Sequence, residues 1–213
     1  SLFFIYIFQK KKSAKKLYPF AYGWFYGLGY FLTNLYWITI SLTFDENFNF
    51  LIPIALILIP SFLALFYGLA TYCFFLLKIK KPSSNLFLFS LLFGLVEFLR
   101  GNILTGFPWN LIAYSFSENL EILQIISFIG TYSFNILCIS FFASPAILIL
   151  RENRKEIFVC IFFLLSPIVL YITGLSKIKS FQSSSITNND YIIRAIGTKI
   201  DLDRFYGNTD TAA

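Results

Sequence analysis

The sequence predicts an all-α polytopic membrane helix bundle followed by the start of a second domain, and three observations predict it. Apolar residues make up 57% of the chain and charged residues 13%, against about 45–50% and about 25% in soluble domains, and the mean hydropathy is +0.71. The apolar residues fall in blocks of membrane-spanning length, separated by short charged or glycine-rich breaks. After Ser176 the composition turns abruptly polar, which ends the membrane part.

Taken in order, Ser1 to Phe8 is apolar but too short to span, and in a chain without Met it reads as the tail of a helix whose beginning is absent. Phe20 to Phe44 is a full span, with Gly23, Gly27 and Gly29 small enough to allow close helix contact. Phe50 to Leu77 is the next and should bend near its start, at Pro53 and Pro60. Leu86 to about Leu104 follows and carries Glu97 and Arg100. The polar-spotted piece Ser115 to Ile129 is expected at the interface rather than within the bilayer. Gly130 to Leu150 and Ile157 to Leu175, the latter with Pro167, complete about five full spans.

Lysines orient these spans. The breaks holding Lys10, Lys11, Lys12, Lys15 and Lys16, then Lys78, Lys80 and Lys81, then Arg151, Arg154 and Lys155 alternate with breaks almost free of positive charge. Short basic loops stay in the cytoplasm, so the acidic loop Asp45 to Asn49 and the break after Arg100 face outward, as does everything after Leu175. The net charge of +6 is thus mostly a topology signal that anchors the chain to anionic inner-leaflet lipid, and it gives no reason to invoke nucleic acid.

The stretch Gly94 to Tyr114 carries more than a span needs. Glu97 and Arg100 lie three residues apart and share a helix face. An unpaired charge inside a span costs about 2.5–3.5 kcal/mol on insertion scales, so the two are expected to pair with each other. That pair is either purely structural or holds the turn that follows. Gly101, Gly106 and Pro108 end regular helix, and Trp109 and Tyr114 bring amphipathic rings that serve as interface anchors or as substrate contacts. Asn135, near the middle of its span, is expected to make an interhelical hydrogen bond.

The strings Glu97-Phe98-Leu99-Arg100-Gly101, Thr105-Gly106-Phe107-Pro108-Trp109 and Ala113-Tyr114-Ser115 resemble the membrane-domain signature of bacterial apolipoprotein N-acyltransferases. Gly27, Gly29, Trp37 and Ser41 upstream, and Gly130 and Asn135 downstream, extend the resemblance over about residues 20 to 150. Ala113, where the family usually has glycine, and Thr39, where it often has an aromatic, are mild departures. The resemblance implies a transmembrane domain over residues 1–175, a polar linker over 176–190 and, over 191–213, the truncated start of an extracytoplasmic α/β nitrilase-like domain. In that last piece Gly197 and Lys199 depart from the family's usual residues.

The implied activity is transfer of an acyl chain from a phospholipid, by way of a cysteine thioester, to the N-terminal amine of a diacylglyceryl apolipoprotein. The implied location is the bacterial inner membrane. The catalytic Glu, Lys and Cys would lie beyond Ala213, so this chain by itself is expected to be inactive and supplies no catalytic residue. Glu97, Arg100, Thr105, Gly106, Phe107, Pro108, Trp109, Tyr114 and Asn135 are left as substrate-path or structural candidates. Cys73, Cys138 and Cys160 sit in apolar helices without basic neighbours and read as small hydrophobes. No metal is expected in a chain without His, and no cofactor.

A small-molecule transporter is the main alternative. It would carry an internal repeat with facing broken helices, and neither EFLRG nor TGFPW recurs. An inactive remnant of a split gene is a third reading. Cysteine accessibility or reporter fusions are expected to place Trp109 and Tyr206 on the same, outer face of the membrane; opposite faces would end the acyltransferase interpretation.

Overall fold

The computed structural model describes residues 17–77, 79–103 and 106–183, all of whose regular structure is helical. Residues 191–213, expected to begin the second domain, the lysines at 10–16 and Thr105 lie outside these residues. In chain order the helices are α1 (Leu17–Leu35), α2 (Ile52–Leu77), α3 (Pro82–Asn102), α4 (Leu120–Leu123), α5 (Ile126–Ala143), α6 (Pro145–Leu150) and α7 (Lys155–Ser183). Short 3-10 segments occupy Tyr36–Phe44, Glu46–Leu51 and Ile112–Phe116. Among the described residues, four helical stretches, Glu46–Leu77, Pro82–Asn102, Ile126–Ala143 and Lys155–Ser183, are long and apolar enough to cross a membrane. The chain is a polytopic membrane bundle.

The first expected span changes character at Leu35. There the α-helix gives way to 3-10 geometry, and Thr39, Ser41 and Thr43 each return a hydroxyl to the carbonyl three residues back at 2.7 Å. These local bonds compete with α-helical pairing, so the apolar run Tyr36–Phe44 is not α-helical despite its hydropathy. The expected span Gly130 to Leu150 is also divided. Pro145 opens α6 after Ser144, and Gly130 breaks α5 with φ 77° and ψ 166°, a backbone state open to glycine alone. In α2, Pro53 stands in the first turn, where its missing N–H would have no partner, and Pro60 lies within the helix.

Among the described helices, the α1–α2 pair makes the most extensive contact. A methyl added at Gly23 would fall 1.9 Å from the Thr71 hydroxyl and 2.5 Å from the Tyr67 carbonyl; at Gly27 it would meet Ala64 Cα and Tyr67 Cβ at 3.0 Å. Contact this close lets the Thr71 hydroxyl donate to the Pro19 carbonyl at 2.8 Å, and the Trp24 indole to the Ser61 carbonyl at 3.0 Å. From α2 an aromatic column continues into α3: Tyr67 meets Phe93 at 5.2 Å between ring centroids, Phe93 meets Phe89 at 4.4 Å, and Phe89 meets Phe74 at 5.4 Å. Offset and edge-on contacts of this kind add to the burial of each ring.

Polar side chains, buried at one end of the bundle and exposed at the other, fasten its loops. At the end that holds the basic breaks, Asn85 accepts from the Ile79 N–H at 2.6 Å and donates to the Ile79 carbonyl, while Glu156 accepts from the Glu152 N–H at 3.0 Å. The Phe87–Phe163 ring contact, at 5.6 Å, brings the N-terminal halves of α3 and α7 together there. At the opposite end, a methyl at Gly174 would lie 1.9 Å from the Glu121 carbonyl. Lys177 donates to the Ser127 hydroxyl at 2.7 Å and lies 4.4 Å above the Phe128 ring. The last turns of α7 are therefore strapped to α4 and to the start of α5, and the helix continues to Ser183, past the expected boundary at residue 175.

Gly23→Ala is expected to destabilise the chain by about 1–3 kcal/mol, the usual penalty for overpacking, read as a lower unfolding midpoint in mixed micelles. Gly29→Ala, whose methyl meets nothing within 4 Å, should leave the midpoint unchanged or raise it, since alanine is the better helix former. Equal losses at both positions would refute the close-contact account of this pair.

Candidate functional site

The candidate site is the turn between α3 and α4, and it is built by giving hydrogen-bond partners to backbone that has left the helix. After Asn102 the chain cannot pair with itself along a ladder, and the surroundings are apolar; each backbone group left bare there carries a desolvation penalty. Gly106, at φ 77°, and Asn110, at φ 60°, take left-handed conformations that reverse the chain twice in five residues. Backbone bonds from Gly106 N–H to the Ile103 carbonyl at 2.9 Å and from Phe107 N–H to the Arg100 carbonyl at 3.0 Å fasten the first reversal to the end of α3.

Side chains from three helices hold the rest. Arg100 is 1% exposed, and its Nη1 donates to the carbonyls of Phe107 at 3.0 Å and Trp109 at 2.9 Å. From α1, the Tyr30 hydroxyl donates to the Asn110 carbonyl at 2.9 Å. From α5, Asn135 Oδ1 accepts the Ala113 N–H at 2.9 Å. The Arg100 guanidinium also lies 5.2 Å from the Phe31 ring centre and 5.9 Å from that of Phe107, where each aromatic face favours a cation.

Glu97 is fully buried and forms the other half of the arrangement. Its Oε1 accepts from the Tyr67 hydroxyl at 2.6 Å and its Oε2 accepts from Asn135 Nδ2. An N–H can only donate, so the Ala113 amide requires the oxygen of Asn135 and turns the NH2 toward Glu97. Glu97 thereby orients Asn135, and Asn135 holds Ala113.

The expected Glu97–Arg100 ion pair does not form. Each is engaged elsewhere, because the acceptors the turn exposes and the donors of Tyr67 and Asn135 would otherwise be buried unsatisfied. Three residues of spacing permits a pair but does not require it. Tertiary demand decides here, and the two side chains act on the same turn from its two ends. Asn135 makes the interhelical bond expected of it, with Glu97. Phe107 and Pro108 are half-buried or exposed along the turn, and Trp109 and Tyr114 are 55% and 46% exposed.

Beside the turn lies an open cavity of about 1070 Å³, walled by Tyr26, Tyr30 and Asn34 of α1, by Trp37, by residues 108–112, 114 and 115 and by Phe142 of α5. Trp37 and Trp109 touch each other in its wall, with ring centroids 5.4 Å apart. No charged side chain lines it. Cys138 and Cys160 are buried in α5 and α7, and Cys73 is partly buried in α2.

Sequence reasoning missed Tyr67, Tyr30, Asn34 and Asn110. Thirteen tyrosines in the chain hide the two that matter. A usable signal was present in the small residues, since Gly23 and Gly27 on one helix and Ala64 and Gly68 on the next are each spaced by four, the spacing that lets helix backbones approach. Tyr67 sits inside that second pair. Asn135→Leu should strand the Ala113 N–H and free one Glu97 oxygen, at about 1–3 kcal/mol per stranded group. The measurements are the unfolding midpoint and hydrogen exchange at the Ala113 amide, which should quicken; unchanged exchange there would refute the clamp.

A family model described as the apolipoprotein N-acyltransferase N-terminal domain matches residues 1–144. An apolipoprotein N-acyltransferase of Rhodopseudomonas palustris is 42% identical over 130 residues, covering 60% of this chain and 24% of that protein. One of Rhizobium rhizogenes is 36% identical over 141 residues, 65% of this chain and 26% of the relative. One of Agrobacterium fabrum is 31% identical over 195 residues, 91% of this chain and 36% of the relative. The chain thus spans about a quarter to a third of the length of these curated relatives. With a polytopic bundle and a clamped aromatic turn built from the residues that carry the resemblance, the chain belongs to the apolipoprotein N-acyltransferase family.

Proposed function

We propose that this chain is the membrane part of an enzyme that moves an acyl chain from a phospholipid to the N-terminal amine of a diacylglyceryl apolipoprotein. Residues 1–175 form the transmembrane domain, and residues 191–213 begin a nitrilase-like domain on the outer face of the inner membrane. Family membership supports this activity and displaces the transporter reading of the same helices.

The observation that carries the reading is the gathering of three features at one end of the bundle. There the clamped turn with its exposed Trp109 and Tyr114, the cavity beside it and the strapped end of α7 lie together. The basic breaks at 79–81 and 151–155 lie at the other end, as a cytoplasmic face requires. In this reading Glu97, Arg100 and Asn135 are positioning residues. They fix Gly106, Phe107, Pro108 and Trp109 as a rigid floor beneath the catalytic domain, and lipids reach it sideways from the bilayer. Donor and acceptor both diffuse in one plane, so holding the reacting groups at that floor removes much of the entropy of bringing them together.

The test is a chimera in which this chain supplies the membrane part and the Rhodopseudomonas palustris relative supplies the remainder. It should add one acyl chain to a diacylglyceryl lipopeptide, detected by mass spectrometry, and Arg100→Ala should lower the rate by about tenfold or more, the effect of misplacing a reacting group by a fraction of a bond length to an ångström. A chimera that inserts and folds but transfers no acyl chain would overturn the proposal.

A further inference from the structure

We infer that a buried water molecule joins the Arg100 guanidinium to the Glu97 carboxylate. The inference is independent of the acyl-transfer reading and concerns the two charges that α3 encloses. Arg100 keeps its charge in any protein environment and carries five N–H donors. Both hydrogens of Nη1 go to the carbonyls of Phe107 and Trp109, which leaves the edge formed by Nε and Nη2. Among the described residues neither nitrogen of that edge has a hydrogen-bond partner, although Arg100 is 1% exposed. Bare donors on a buried charge cost more than bare neutral ones, so this edge requires an acceptor.

Glu97 has acceptor positions open. A carboxylate offers about four lone-pair sites, and one on each oxygen is used, by Tyr67 and by Asn135. Glu97 and Arg100 are one turn apart on α3, with Cβ atoms about 5–6 Å apart, and both side chains reach the same aromatic pair. The guanidinium lies 5.2 Å from the Phe31 ring centre, the carboxylate is bonded to the Tyr67 hydroxyl, and the rings of Phe31 and Tyr67 are 5.3 Å apart. The two charges do not pair directly. Two hydrogen bonds in series through one oxygen span about 5 Å, a distance that suits neighbours of this kind.

The chemistry of the gap selects its occupant. A chloride or phosphate accepts from the guanidinium but then lies against the Glu97 carboxylate, and a metal cation satisfies Glu97 but faces Arg100. Water accepts from one and donates to the other. With two bonds from Nε and Nη2 and one to Glu97 it makes about three, the usual number for a buried water. A lipid headgroup is shut out, since Glu97 and Phe31 are 0% exposed. The pairing that helix spacing suggests is thus made at one remove, and the two anchors of the turn act as a unit.

The experiment is X-ray radiolysis of the chain in nanodiscs, in which water held against a side chain yields hydroxyl radicals that oxidise it, mapped by mass spectrometry. Phe31 and Phe74 are equally buried and chemically identical, and Phe74 lies two turns beyond Tyr67 along α2, away from both charges. Phe31 should be oxidised severalfold faster than Phe74, at a rate that is the same in chloride-free and chloride-rich buffer. Arg100→Met keeps an unbranched side chain and removes every donor. It should bring Phe31 down to the rate of Phe74, while the exposed Phe158 is oxidised as before. Equal oxidation of Phe31 and Phe74 in the wild-type chain, suppression of Phe31 oxidation by chloride, which would identify an anion, or unchanged oxidation of Phe31 in a folded Arg100→Met chain would each overturn the inference. If that variant does not fold, the wild-type contrast between the two rings and its indifference to chloride decide.

Discussion

Non-helical backbone inside an apolar bundle must be given hydrogen-bond partners, and the rest of this structure is arranged around supplying them to residues 106–113. A helix satisfies itself; a turn cannot, and bare amides in hydrocarbon are tolerated only where protein meets them. Arg100 answers with two bonds from one nitrogen to two carbonyls, Tyr30 covers a third carbonyl, and Asn135 covers the Ala113 amide. Because Asn135 owes its orientation to Glu97, and Glu97 is also bound by Tyr67, four helices of the chain converge on a single turn.

That convergence explains why α1 and α2 pack so closely. Tyr67 must reach Glu97 from α2 while its ring stacks on Tyr26 and Tyr30, at 6.0 and 5.9 Å, and both of those line the cavity. Glycines at 23 and 27 bring α1 near enough for this. Packing, clamp and cavity wall are therefore one assembly, and a change that parts α1 from α2 would be felt at Trp37 and Trp109.

Much of the site was legible in the sequence because charge in a span is conspicuous. Glu97, Arg100 and Asn135 stand out against apolar neighbours, and Gly106, Pro108 and Trp109 mark the turn by composition alone. The partners were not legible. Spacing suggested that Glu97 and Arg100 would meet, yet spacing describes one helix, whereas the bonds run to a loop and to two other helices. Tyr67 and Tyr30 are chemically identical to the other tyrosines of an aromatic-rich chain, and only the fold distinguishes them. The bundle itself was readable from hydropathy, but the change at Leu35 was not, since local hydroxyl bonds leave no trace in an apolar average.

The seat of α7 carries a consequence for whatever the remaining residues build. A helix of 29 residues rises about 43 Å, well over the roughly 30 Å of hydrocarbon in a bilayer, and its surplus turns are pinned at Gly174 and Lys177 instead of swinging free. The end of α7 at Ser183 is therefore held beside α4 and the start of α5. Height and bearing at that end of the helix are thus set by packing within the protein and not by the thickness of the surrounding lipid.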